Sequence, residues 1–191
     1  KLLHILIYLL PISISAQEVD WEKLQLSFNE YVNYPNEKNT QAVINLLPTN
    51  HVQLESLKSK QVNDFIYNYN QFNMLKRQVI SHHKLSIRLA FRLLNIADGA
   101  FSEDLDVLLG QIIRVNPKLF LSELQFAKYP TTDYKYFLNY GDVFVDRMEA
   151  QCLEYQLRVS AIKSVNNMEL QNIKSAFLAG LKSSSQAGRC L

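Results

Sequence analysis

From Leu85 to Leu124 the apolar residues recur three and four positions apart. That is the spacing of helices that each bury one stripe. Leu85, Leu89, Leu93 and Ile96 form a first stripe, widened by Ala90, Phe91, Leu94 and Ala97. Leu105, Leu108, Leu109, Ile112 and Ile113 form a second; Leu119, Phe120, Leu121, Leu124 and Phe126 form a third. Asp98-Gly99 separates the first two, and glycine is favoured just past a helix end because it accepts positive φ. Ser102 is expected to cap the second helix, with Glu103, Asp104 and Asp106 crowding its positive end. Asn116-Pro117 separates the second and third as a cap followed by Pro at the first helical position. The pattern predicts three consecutive buried helices that serve as a scaffold for the others.

The flanking segments carry the same period. Trp21, Leu24, Phe28 and Tyr31 or Val32 predict a helix over Val19–Tyr34, capped by Asp20 and stopped at Tyr34-Pro35. A short helix follows over Glu37–Leu47, ended by Pro48. From His51 to Ile80 the period is helical with a break expected near Val62, Asn50 capping the first part and Asn63 or Asp64 the second. After Tyr129-Pro130, Thr131 or Thr132 can cap a Tyr-rich segment. Asn139-Tyr140-Gly141-Asp142, flanked by Tyr136-Phe137-Leu138 and Val143-Phe144-Val145, is compatible with a hairpin turn or with two helices meeting at Gly141, and two helices are the preferred reading. A long helix is expected from Asp142 or Asp146 to Val165, lined by Met148, Cys152, Tyr155, Val159 and Ile162, with Glu154 and Arg158 as an i, i+4 pair. Asn166 with Glu169 repeats the capping pattern before a last helix bearing Leu170, Ile173, Phe177 and Leu181. Residues 183–191 read as a polar tail expected to fray.

The predicted architecture is all-α: one domain of about eight or nine helices, either an irregular bundle or a short HEAT-like or armadillo-like solenoid. No consistent repeat period runs through the chain. Only 5 Gly and 5 Pro are present, too few for a fold built on many tight turns. The hydrophobic fraction of 48% supports a sizeable core.

The first residues change the expected compartment. Lys1 precedes an apolar run, Leu2–Leu10, followed by Pro11 and the smaller residues Ser13, Ser15 and Ala16. That order predicts a secretory signal peptide over residues 1–16, cleaved after Ala16, and a secreted or periplasmic protein whose helical domain spans 17–182. A membrane anchor needs about 20 apolar residues, more than this run supplies, so no transmembrane segment is expected in the mature chain. Export permits disulfides. Cys152 lies in an apolar helical pattern and Cys190 in the polar tail, so Cys152 reads as a small buried hydrophobe and a bridge stays an open alternative.

The net charge of +2 is without a basic cluster, which argues against nucleic acid as a partner. Lys84, Arg88 and Arg92 lie four apart opposite the first stripe. They read as a solvated edge, paired with the acidic residues that follow, or as a site for a negatively charged partner. Tyr129, Tyr134, Tyr136 and Tyr140 concentrate in one short stretch and offer either core aromatics or a contact surface. Arg88, Arg92, Tyr134, Tyr136 and Tyr140 are therefore the candidate binding residues. His82-His83 reads as a polar helix junction, because adjacent helical residues diverge by about 100° and no carboxylate stands at ligand spacing. The acidic cluster at Asp98–Asp106 lacks the ligand order of a calcium loop and reads as helix capping. No metal, cofactor or catalytic residue is assigned: there is no G-x-S-x-G elbow and no phosphate-cradling glycine loop. The chain reads as an exported, non-enzymatic interaction module, with another protein as its expected partner. The alternatives are an exported hydrolase-like enzyme with dispersed catalytic residues and a structural subunit of an envelope assembly.

Overall fold

A computed structural model describes residues 19–48, 65–141 and 146–190, and the protein is all-α. Helix α1 (Trp21–Asn33) begins where the Asp20 carboxylate accepts from the Lys23 N–H at 3.0 Å. Helix α2 (Glu37–Leu46) begins where Asn36 accepts from Asn39. Helix α3 (Tyr69–Ile80) is capped by Asn68, and α4 (Lys84–Leu94) follows a two-residue turn in which His82 adopts φ +60°. Helix α5 (Gly99–Val115) and helix α6 (Pro117–Ala127) share Asn116, whose side chain accepts from the Leu119 N–H at 3.2 Å. A 3-10 segment (Thr131–Leu138) comes next, then α7 (Met148–Ser164), a single 3-10 turn (Met168–Leu170), α8 (Gln171–Lys182) and α9 (Ser185–Cys190). The signal segment, and the expected break near Val62 with its caps, lie outside the described residues.

Helix α4 is the hub. It packs against α2, α3, α5 and α6, and it buries Ile87, Leu89, Ala90, Phe91 and Leu93 completely. A chain of aromatic rings then links the scaffold to the C-terminal half. Phe91, Phe120, Phe137 and Phe177 touch in sequence, with centroids 5.1–5.8 Å apart for the contacts Phe91–Phe120, Phe91–Phe137, Phe120–Phe137 and Phe120–Phe177. These rings come from α4, α6, the 3-10 segment and α8. Edge-to-face pairs of this kind add about 0.5–1.5 kcal/mol each beyond their area burial.

Four local expectations are corrected. Helix α5 starts three residues before Ser102, so Ser102 is not a cap; its hydroxyl donates to the Gly99 carbonyl inside the first turn at 2.8 Å. Gly99 does adopt positive φ (+50°), but it opens α5 rather than closing α4, which ends at Leu94. The Glu154–Arg158 pair is buried, at 6% and 2% exposure, whereas Met148 on the same helix is half exposed. Helix α7 therefore turns an ion pair inward, and Glu154 also meets Arg114 of α5 at 2.8 Å. Residues 185–190, expected to fray, form α9, which seats Ala187 in the core and bonds Cys190 to Cys152. The bridge closes the alternative left open by the sequence: Cys152 is a disulfide partner rather than an unpaired buried thiol. The Tyr-rich segment is 3-10 helix over Thr131–Leu138, with Gly141 at φ +61°; residues 142–145 of the hairpin question lie outside the described residues.

Candidate functional site

The structure divides the five residues selected from the sequence. Arg88 is consumed internally. Its Nε donates to Glu123 Oε2 at 2.7 Å and its Nη2 to Oε1 at 3.2 Å, while its guanidinium lies 3.7 Å from the Phe126 ring centroid. Glu123 is fully buried, and Lys84 approaches it at 3.8 Å. The partner of this basic edge is thus on α6, not in the acidic run of α5. Tyr134 is 1% exposed and packs on Phe177. Tyr140 is nearly as buried and lies under the Arg158 guanidinium, 4.6 Å from ring centroid to Cζ. Both tyrosines are core aromatics, which corrects their reading as contact residues.

Arg92 and Tyr136 instead meet on one cleft. Its volume is about 1430 Å³. The end of α4 and the turn after it supply Arg92 and Leu94–Ala97; the start of α5 supplies Ser102, Glu103 and Asp106. The end of α6 supplies Ser122 and Gln125–Lys128, and the chain beyond it supplies Tyr129, Pro130, Asp133, Tyr136 and Asn139. Glu169 and Leu170 complete the lining, with Pro48 beside Arg92. Lys128 closes α6 in the left-handed region (φ +53°), and the next residue, Tyr129, packs on Phe137 of the 3-10 segment. Arg92 is held by two carbonyls, donating through Nη2 to Leu47 at 2.9 Å and Pro48 at 2.7 Å. Its Nε is buried without a hydrogen-bond partner, and burial lowers the proton affinity of the guanidinium.

Asp106 dominates the electrostatics. It is 6% exposed, and its Oδ1 has no hydrogen-bond partner. Burial raises its pKa from 3.8 to about 7, and the charges of Asp133 and Glu103 push in the same direction. The Tyr129 hydroxyl is also driven up, first by burial and then by Asp106 and Asp133. An ionised carboxylate shut away from water costs several kcal/mol unless it is paired. Asp106 is therefore a carboxyl whose neutral form is favoured toward neutrality and whose Oδ1 is left without a hydrogen-bond partner.

Capping does not account for Asp106, because it lies two turns into α5 and that helix has no acidic residue in its first turn. The signal was in the sequence: Asp106 sits directly between Leu105 and Val107 in the apolar run that continues to Leu109. Asp104 belongs elsewhere and accepts a hydrogen bond from Tyr67.

A second polar constellation fails as a catalytic site. His83 Nδ1 lies 2.9 Å from Ser86 Oγ, and Tyr31 OH lies 3.4 Å from the same oxygen. That is the pairing expected of a nucleophile and its base. Ser86, however, is fully buried, so no substrate reaches it. The trio ties α1 to the N-terminus of α4. Among the described residues no group of His, Cys, Asp and Glu is arranged to hold a metal ion, and no helix is long and apolar enough to cross a membrane. No protein-family model, curated protein or solved structure matches the chain, so the cleft must be read from its own geometry.

Proposed function

We propose that the protein is an exported, all-helical binding module whose ligand site is the Asp106 cleft. A small polar molecule suits this cleft better than a protein surface does. Binding sites for small ligands are concave and carry a few convergent polar groups. Of the tyrosines that would have marked a protein contact surface, Tyr134 and Tyr140 are buried and Tyr136 lines the cleft. The observation that carries the reading is Asp106, a carboxyl in the cleft lining whose Oδ1 has no hydrogen-bond partner and whose charged neighbours Glu103 and Asp133 are also acidic. Export is supported by the signal-like order of residues 1–16 and by the Cys152–Cys190 bond, a linkage that persists in oxidising compartments.

Thermal unfolding in the presence of a chemically diverse small-molecule panel tests the cleft. A ligand at a hundredfold excess over its Kd stabilises by about 2.7 kcal/mol, or roughly 5–10 °C for a chain of this size. Ser122→Trp, which fills the cleft from α6, should abolish the shift while leaving the unliganded fold intact. An equal shift in that variant would place binding elsewhere.

Asp106 favours one second reading, a hydrolase-like enzyme. A carboxyl poised near neutral pH beside a second carboxylate, Asp133, has the character of a general acid. Turnover of a panel compound that falls at least a hundredfold in Asp106→Asn would establish that reading; binding without turnover would leave the module reading in place.

A further inference from the structure

We propose that the ligand of this cleft is an organic cation, a primary ammonium or guanidinium group held by Asp106 and flanked by Glu103 and Asp133. The inference rests on the cleft being a ligand site and names the chemistry it takes. Four carboxyl groups line the cleft, at graded depth: Asp106 is buried, Asp133 is half-buried, and Glu103 and Glu169 are exposed. Among the described residues that line the cleft, the cations are Arg92 and Lys128. Arg92 is committed to the carbonyls of Leu47 and Pro48, and Lys128 is exposed at the end of α6.

Among the described residues, Asp106 has no ion-pair partner. The charged groups that act on its acidity, Glu103 on its own helix and Asp133 on the facing 3-10 segment, are both acidic. The missing species at a buried carboxylate with acidic neighbours is a cation, and its arrival would stabilise all three charges together. The aromatic rings on the cleft wall fit the same guest. Tyr129, Tyr136 and Phe126 line the cleft, and aromatic rings attract ammonium and guanidinium groups and shelter the methylenes behind them. Arg88 already lies over Phe126 in this manner.

A cation bound at Asp106 must lower that carboxyl's pKa, so binding near neutrality releases a proton. Isothermal titration calorimetry of the full chain with putrescine and with Nα-acetyl-lysine amide reads this directly, the two probes separating a free amine from a peptide side chain. Glucose and acetate serve as neutral and anionic probes. Titrations at about pH 6.5 in buffers of different ionisation enthalpy should show between about half a proton and one proton released per bound amine. Affinity should rise at least fivefold between about pH 6 and about pH 8. It should fall at least tenfold in Asp106→Asn, and in Asp133→Asn by a smaller factor. Far-ultraviolet circular dichroism verifies that both variants are folded. The assignment is overturned if neither amine binds, if no proton is released, or if Asp106→Asn binds the amine as tightly as the parent chain. Glucose or acetate binding that is lost in Ser122→Trp would overturn the cation and leave the cleft as a ligand site. Absence of binding by every probe, together with no thermal shift across the wider panel, would overturn both.

Discussion

Asp106 illustrates how one residue can cost stability where it sits. Its folded pKa is about 7 against 3.8 for an ordinary aspartate. Between those values the folded protein holds a proton that the unfolded chain has lost. Stability therefore falls as pH rises from about 4 to about 7 and is level above that. Asp106→Asn removes the titrating group and should stabilise the unliganded protein above pH 7 by on the order of 2–4 kcal/mol, with little gain near pH 4. Urea unfolding followed at both pH values measures the difference; equal gains at the two would show that Asp106 does not titrate in this window. A substitution that stabilises the fold while removing ligand binding is the trade expected of a functional group rather than a packing one.

Close approach governs at the scale of elements. Helix α5 meets α7 and the 3-10 segment at Gly110, where a Cβ would come within 2.9 Å of the Phe137 carbonyl oxygen and closer still to Arg158 Nη1. Arg158 cannot retreat freely. Its Nε donates to Glu154 at 2.9 Å, its Nη1 donates to the Phe137 carbonyl, and its guanidinium covers Tyr140. Gly110→Ala should therefore separate these elements and cost about 1–3 kcal/mol from overpacking, a cost that alanine's better helix propensity, about 1 kcal/mol, offsets only in part. Chemical denaturation of that variant tests the packing; a gain in stability would mean that helix propensity outweighs the contact. Caps act at the same scale, and those at Asp20 and Asn116 are legible locally, whereas Asn36 reads in the sequence only as part of a helix stop. Asp20, Asn36 and Asn116 each bond a backbone N–H three residues ahead, and each precedes its helix in sequence as a capping residue should.

The whole molecule is held at its far end by one covalent bond. Cys152 of α7 and Cys190 of α9 are 38 residues apart, and the bond keeps the short α9 against α7. A loop of that length contributes about 4 kcal/mol in the chain-entropy model, and measured values commonly run from about 2 to 4. Reduction should lower the unfolding free energy by about that amount and expose α9 to limited proteolysis while α1–α6 stay protected. Mass spectrometry of the cleavage products checks it; uniform susceptibility after reduction would show that the bond supports the entire fold.

What could be read along the chain and what could not differ by range. Apolar spacing, caps and Asn116-Pro117 are interactions among residues three or four apart, so they predicted the all-α class and the three scaffold helices α4–α6. The candidate site depends on residues far apart in sequence. Arg88 finds Glu123 and Arg92 finds the carbonyls at Leu47 and Pro48; Asp106 finds Asp133, and no periodicity encodes those meetings. Tyr134 and Tyr136 are two positions apart, yet one is buried against Phe177 and the other faces the cleft. The amino-acid order therefore established which segments are helical and which faces are apolar. Only their packing decided which charges are neutralised, which tyrosines are core, and that Asp106 is left with an open oxygen, because burial and electrostatic neighbourhood exist only once distant segments meet.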